Sequence, residues 1–459
     1  MKKRILSIFL ASVIAVCLAA PAALADTGTY EDIDIDAKAA LLVDADTGQV
    51  LYEKNIHDEL YPASITKCMT VLLTLKAIDE GKFALTDTIT ATESALSYVT
   101  DDSSNVGIKE GEQLTVEQLL YCAMVASANE ACDILAETVG GNIDDFVTMM
   151  NDEASSLGCK NTHFVNPSGL QDSGHYTSAW DVYLIVKEAM KYEEFMKLAN
   201  TKDYIIPPTN TSEQRHFYTT NYLLSQFRAL GYLYSYAHGI KTGHTTEAGY
   251  CLVSSATKNS RSLISVVLGC DSVTENGKTT VKSFSETKRL FEWGFSSFHT
   301  VSVLKESDPV DQIDVTLSSK ANYVVVHPES DVDVLVPNNV SSDDITTAVQ
   351  FNSDSVAAPI AEGDVLGTLT VKNGDKVCAT VNLLATNDVP ASKVLTILND
   401  IKTAFEKPLV KLLILAVAVL IIVLIVLLVM RGGSNRYHGG RSYRTRHRGH
   451  RGYHGRRKL

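Results

Sequence analysis

Residues 61–70 read YPASITKCMT, with a serine and a lysine three positions apart, Ser64 and Lys67, just ahead of the apolar run VLLTLKAI. The pattern predicts a helix from Ser64 through about Glu80. On a helix, positions i and i+3 share a face, so hydroxyl and amine lie within reach of one another. A helix N-terminus also favours negative charge developing on the serine oxygen. A lysine acts as a base only when neutral, and burial or a second nearby cation would each lower its pKa. If Ser64 is a nucleophile and Lys67 its base, the chain should also supply that second cation, a polar relay and an oxyanion hole. Alone the pair is weak, because many helices begin with a serine followed by a solvated lysine.

Two further motifs strengthen it. Ser127-Ala128-Asn129 falls at a break between helical stretches in TVEQLLYCAMVASANEACDILAETVGG, and Lys241-Thr242-Gly243 opens an expected strand in GIKTGHTTEAGYCLV. Gly243 would let a substrate backbone approach that strand. S-x-x-K, S-x-N and K-T-G follow in this order, about 60 and 110 residues apart, and form a strong joint signal for a serine acyl-transfer site.

Around these motifs, AKAALLVDADTGQVLYEKN alternates apolar and polar residues on either side of Asp46-Thr47-Gly48, which predicts a β-hairpin with an Asp/Gly turn. Asp-Thr-Gly also occurs in aspartic proteases, but here it is a single copy at a turn. SAWDVYLIVKEAMKYEEFMKLAN, residues 178–200, reads as one helix capped by Ser178. GYCLVSSATKNSRSLISVVLGC reads as two strands about a polar turn, and TVKSFSETKRLFEWGFSSF as a closing helix. Strands at both ends of a helical middle suggest one α/β unit over roughly 33–298. Composition then turns to Val, Thr and regular turn signals, predicting a small all-β domain over 300–391, followed by a helical connector, 392–411.

The two ends differ from this body. MKKRILSIFLASVIAVCLAAPAALADTG has a basic start, an apolar stretch and a small-x-small site at Ala23-Leu24-Ala25, the pattern of a secretory signal peptide over 1–25. Leu412–Met430 is an unbroken apolar run; at about 1.5 Å per residue it spans roughly 28 Å, close to a bilayer's hydrocarbon core. The tail, 431–459, carries nine Arg, one Lys, four His and no acid, and reads as a disordered stop-transfer flank held in the cytoplasm by the positive-inside bias. The formal charge of −13 hides this asymmetry: with three cations in the signal and ten in the tail, residues 26–411 carry −26. So acidic a body excludes nucleic acid as a partner. Seven cysteines outside the signal, at irregular spacings, form neither a disulfide framework nor a zinc pattern. Cys68, Cys122, Cys132 and Cys251 read as small buried hydrophobes, and no metal or cofactor is expected.

The sequence resembles the low-molecular-mass penicillin-binding proteins, the serine-type D-alanyl-D-alanine carboxypeptidases of peptidase family S11. DADTGQVLYEKN, YPASITKCMT, VASANEAC, FVNPSGL before HYTSAWD, GIKTGHTTEAGYCLV and, in the β-rich segment, APIAEGDVLGTLTV carry the likeness. The resemblance implies an α/β penicillin-binding/β-lactamase-like domain, a small all-β domain and a membrane anchor. It implies that Ser64 attacks the carbonyl between two terminal D-alanines of a peptidoglycan stem peptide, that Lys67 is the base, and that Ser127 relays the proton to the leaving amine. Asn129 would bond substrate or Lys67. Lys241 would bind the terminal carboxylate and keep Lys67 neutral, with Thr242 and Thr245 adding hydroxyl donors beside Gly243. The backbone N–H groups of Ser64 and His244 would form the oxyanion hole, and penicillins would acylate Ser64. Family members usually end in an amphipathic helix on the membrane surface; here a spanning run stands in its place. A β-lactamase, a peptidoglycan DD-endopeptidase and a non-catalytic wall-binding protein are the rival readings. For the first, only Asp172 in NPSGLQDSGHYTS offers a carboxylate to activate water.

Overall fold

The computed structural model describes residues 33–98, 103–275 and 277–433. The expected signal peptide and the basic tail beyond residue 433 lie outside the described residues. Two compact units are present. The first takes the chain through Val310, with His327–Asn352 and Val365–Leu384; the second takes Asp311–Val326, Ser353–Asp364 and the chain from Ala385.

The elements that build the first unit around the motifs are β1 (Ala39–Asp44), β2 (Val50–Lys54), α1 (Lys67–Asp79), α2 (Asn129–Gly140), α3 (Ala179–Ala189), β3 (Ala237–Thr245), β4 (Gly249–Lys258), β5 (Arg261–Cys270) and α4 (Lys282–Ser297). The strands form one antiparallel sheet in the order β2-β1-β5-β4-β3. β1 is buried along its whole length, because both sheet faces are covered. Ala39, Leu41 and Val43 point into a core shared with α1, α2 and α3. Ala40 and Leu42 point the other way, into a core shared with α4. This alternation is the period-2 geometry of a strand.

The β1–β2 hairpin turns where expected. The Asp44 carboxylate accepts from Thr47 N at 2.8 Å and from the Thr47 hydroxyl at 2.7 Å, and Gly48 takes a φ of +74°. β4 and β5 meet at Asn259-Ser260, both with positive φ, the two-residue turn whose twist suits a hairpin. α4 closes the unit as predicted.

Three expectations need correction. Residues 178–200 form two helices, α3 and a second over Glu193–Asn200. Ser178 does cap α3, accepting from Asp181 N at 3.2 Å, but the chain tightens after Ala189 without a glycine or proline to announce it. Lys241-Thr242-Gly243 lies inside β3, which begins at Ala237, and not at its start. Ser64 precedes α1 in a separate 3₁₀ turn, Ala63–Thr66, and the α-helix begins at Lys67.

α1 is apolar nearly all round and is buried from Lys67 through Leu75, as a helix without a polar face must be. Lys67 belongs to the first turn of an enveloped helix, and that is why its ammonium is taken out of water.

The β-rich segment supplies strands to both units. In the first, Phe298–Leu304 pairs antiparallel with Val332–Pro337, and Ile345–Phe351, Val365–Asn373 and Lys376–Ala385 form an antiparallel ladder. In the second, Asp311–Thr316 pairs antiparallel with Tyr323–Pro328 and parallel with Ser355–Ala357. This second unit also holds α5 (Lys393–Glu406), the predicted connector, and α6 (Pro408–Gly433). From Leu412 to Met430 the side chains of α6 are exposed.

Candidate active site

In a 3₁₀ turn, side chains at i and i+3 eclipse, so the turn at Ala63–Thr66 stacks Ser64 directly over Lys67. Lys67 Nζ lies 2.9 Å from Ser64 Oγ and also donates to Asn129 Oδ1 at 2.7 Å and to the Ser168 carbonyl at 2.6 Å. Its side chain is wholly buried. Burial is the main force lowering its pKa, against the pull of Asp133 and Glu130, which raise it.

Two glycines let other segments close on this turn. A Cβ at Gly169, which has φ +81°, would meet the Ala63 carbonyl oxygen at 1.9 Å. At Gly243 a Cβ would lie 2.7 Å from the Pro62 carbonyl oxygen and 3.2 Å from Ser64 N. Gly243 is therefore required by the turn that carries Ser64, whether or not a substrate approaches it. The same convergence brings the Ser64 backbone beside the β3 segment that carries His244.

The Ser127 motif is positioned by a break in the chain. A π-turn over Cys122–Ala126 ends in Ser127, which adopts left-handed φ 62°, ψ 32°, before α2 starts at Asn129. π-turns of this kind recur at functional sites. Ser127 Oγ accepts from Lys241 Nζ at 2.9 Å, and Lys241 also donates to the Thr242 carbonyl at 3.1 Å. Lys241 is buried as well, and burial, then the charge of Lys67, push its pKa down to about 7.

Ser64, Ser127, Thr242, Gly243 and His244 line one open cleft of about 240 Å³, and Lys67, Asn129 and Lys241 lie behind it, bonded to Ser64, to Lys67 and to Ser127 in turn. The Thr242 hydroxyl is 2.6 Å from that of Thr220. Thr245 donates to Gln171 Oε1 at 3.1 Å. The His244 ring stacks on Tyr250 at 4.1 Å, and burial lowers its pKa. Asp172 accepts from Gly174 N at 2.7 Å and so caps its own loop. The cysteines expected inside are buried free thiols, with Cys251 pushed up by burial to about 11.

Several contributors were not foreseen. The Ser168 carbonyl reaches Lys67 because Asn166 Oδ1 gathers the N–H groups of Gly169 at 2.7 Å and Leu170 at 3.0 Å. Asn-Pro-Ser-Gly announces a turn, but not where its carbonyl points. His175 is buried. Its Nδ1 accepts from Val165 N at 3.1 Å, so Nε2–H donates to Thr66 Oγ1 at 2.8 Å, and burial pushes its pKa down to about 4. Glu130 Oε1 accepts from Val106 N at 2.6 Å and Gly107 N at 3.1 Å, and Ser104, near that loop, lines the cleft.

With this geometry, comparison with known proteins gives the class. The model of the peptidase S11 family, D-alanyl-D-alanine carboxypeptidase, matches residues 25–272. The model of the penicillin-binding protein 5 C-terminal domain matches 298–391. The chain belongs to the D-alanyl-D-alanine carboxypeptidase family, a family of serine peptidases. Among its relatives, the D-alanyl-D-alanine carboxypeptidase DacF of Bacillus subtilis is 33% identical over 399 residues, which cover 86% of this chain and 97% of that one. DacA of Escherichia coli is 33% identical over 367 residues, covering 78% and 84%. The crystal structure of penicillin-binding protein 5 from Haemophilus influenzae superposes with a TM-score of 0.66 at 31% identity, covering 78% of this chain and 99% of that one.

Proposed function

We propose that this chain is an exported, membrane-anchored carboxypeptidase that removes the terminal D-alanine from peptidoglycan stem peptides through a Ser64 acyl-enzyme. The observation that carries the reading is the coordination of Lys67. A neutral amine has two N–H groups and one lone pair. Asn129 Oδ1 and the Ser168 carbonyl accept the two N–H groups. Ser64 Oγ lies 2.9 Å from the same nitrogen, so a Lys67 that has lost its proton would turn its lone pair to Ser64 and accept the serine O–H. A charged Lys67 would instead donate to the serine and block it. Burial favours the neutral form.

In the reaction that follows, Lys67 takes the Ser64 proton while Oγ attacks the carbonyl carbon of the penultimate D-alanine. The backbone N–H groups of Ser64 and His244 hold the developing oxyanion. As the C–N bond breaks, the proton passes through Ser127 to the leaving amine. Lys241, buried and bonded to Ser127, opposes a charge on Lys67 whenever it holds its own proton and then attracts the substrate's carboxylate, with Thr242 and Thr245 beside it. Water then hydrolyses the ester. Penicillins would acylate Ser64 by the same attack. The one carboxylate the sequence offers a β-lactamase reading, Asp172, accepts from Gly174 N in its own loop and is not among the residues lining the cleft.

We keep the catalytic domain at 33–298 and the β-rich domain at 300–391 as proposed limits; the family models match 25–272 and 298–391. For the anchor, α6 is long and apolar enough to cross a bilayer. We take it as a single span, with the catalytic domain outside and the basic tail in the cytoplasm. Mass spectrometry of stem pentapeptide incubated with the protein tests the activity: loss of one terminal alanine is expected, and an unchanged peptide refutes it. Protease added outside intact cells should digest the body and spare a tag placed after Leu459; a tag cleaved from outside would reverse the topology.

A further inference from the structure

Thr220 has no part in the three motifs, and it lies 22 residues before Thr242 in the chain. The fold nevertheless fixes it against β3. Thr219 N donates to the Lys202 carbonyl at 2.8 Å, Asn221 Nδ2 donates to the Gly239 carbonyl at 2.8 Å, and Asn221 Oδ1 accepts from Leu223 N at 3.0 Å. Between these anchors the Thr220 hydroxyl sits 2.6 Å from the Thr242 hydroxyl, and both residues line the cleft with Ser64 and Ser127.

A carboxylate is an acceptor with two oxygens and no proton to give. Two adjacent hydroxyls that bond each other when the cleft is free can each rotate to donate to one of those oxygens. No lysine, arginine, aspartate or glutamate is among the described residues lining this cleft. Lys241 lies buried beside it, bonded to Ser127 and to the Thr242 carbonyl. Any anionic group entering here meets hydroxyl donors in front and one buried ammonium behind.

We infer that Thr220 is a specificity residue that, paired with Thr242, binds the free terminal carboxylate of the substrate, so that this chain selects C-terminal acids with a hydroxyl pair in place of a surface cation. The inference rests on the carboxypeptidase reading and names one more contact of that site. It implies that Thr220 acts on substrate capture and not on the chemistry at Ser64.

Thr220→Val keeps shape and removes the donor; Thr220→Ser keeps the donor. With a peptide ending in D-alanyl-D-alanine, Thr220→Val should raise KM about tenfold or more, the usual effect of losing a hydrogen bond to a charged group, with kcat little changed. With the same peptide as its C-terminal amide, the variant and the parent should not differ, and Thr220→Ser should restore the parent's preference. Calorimetry on Ser64→Ala and on Ser64→Ala/Thr220→Val then reads binding without turnover: the first should prefer the acid over the amide, and in the second that preference should shrink about tenfold. A preference for the acid that Thr220→Val leaves undiminished, or equal losses on acid and amide, overturns the inference. Absence of D-alanine release by the parent protein overturns the carboxypeptidase reading instead, while the calorimetric comparison still decides the role of Thr220.

Discussion

The nucleophile region and the C-terminal helix invert the usual partition of residues in opposite directions. Around Ser64 the fold buries what normally stays in water: Lys67, Lys241, Asn129 and Glu130 are all nearly inaccessible. Along α6 it exposes what normally stays inside, with Leu420 65% exposed and Leu424 55%. Neither inversion is stable in isolation. Buried ammonium groups are disfavoured until they lose their proton or gain partners. A fully exposed apolar helix is disfavoured until a bilayer replaces water. The first stores free energy as a depressed pKa, the condition the proposed base needs; the second stores it as the bilayer affinity of the proposed span.

The comparison predicts different responses to substitution. Ser64→Ala should abolish D-alanine release and covalent labelling by fluorescent penicillin while leaving the circular dichroism spectrum unchanged; labelling that persists would move the nucleophile elsewhere. Two charges in the span, Leu420→Lys with Leu424→Lys, each disfavour insertion by about 2.5–3.5 kcal/mol at a helix centre. The double variant should be released by alkaline carbonate, yet hydrolyse peptide at the parent's rate. Retention in the membrane pellet would mean that α6 does not anchor the chain. Lys67→Arg preserves charge but removes the possibility of a neutral base. Acylation, followed by rapid-quench labelling, should fall by roughly a hundredfold or more, and near-normal acylation would disqualify Lys67.

Smaller effects concern stability. Lys241 has its pKa lowered from 10.5 to about 7. Between those values the unfolded chain binds a proton that the native state does not, so the native state is penalised as pH falls through this window, fully so below about 7. Lys241→Met removes the penalty. Its thermal midpoint relative to the parent should rise as pH falls from about 10 to 7, and a difference independent of pH would show that the ammonium is not strained. His175, lowered from 6.5 to about 4, contributes with the same sign in a lower window: stability is lost as pH falls from about 6.5 to 4. His175→Gln should flatten that part of the parent's midpoint-versus-pH curve, with the smallest shift of the set.

Much of this was legible before any coordinates. The β1–β2 hairpin follows from Asp46-Thr47-Gly48, because turn chemistry is settled by neighbours in sequence. The order and spacing of Ser64/Lys67, Ser127/Asn129 and Lys241-Thr242-Gly243 point to the proposed chemistry, and the length and purity of Leu412–Met430 to the proposed span. The split of residues 178–200 into two helices was not legible. Local propensity there favours one continuous helix, and no glycine or proline interrupts it.

What only the tertiary structure decided is how the named groups are conditioned. A pKa depends on everything within a few ångströms, and around Lys67 those neighbours come from Asn129 and Ser168, 62 and 101 positions away. Gly169 and Gly243 are small because other backbones must pass close to Ala63 and Pro62, a demand their own sequence neighbours do not express. Thr220 reaches Thr242 only because Asn221 ties its loop to Gly239. Sequence determined which functional groups exist and in what local geometry, since those follow from interactions between near neighbours. Desolvation and through-space contact are properties of the folded interior, and they decided which of these groups share a site.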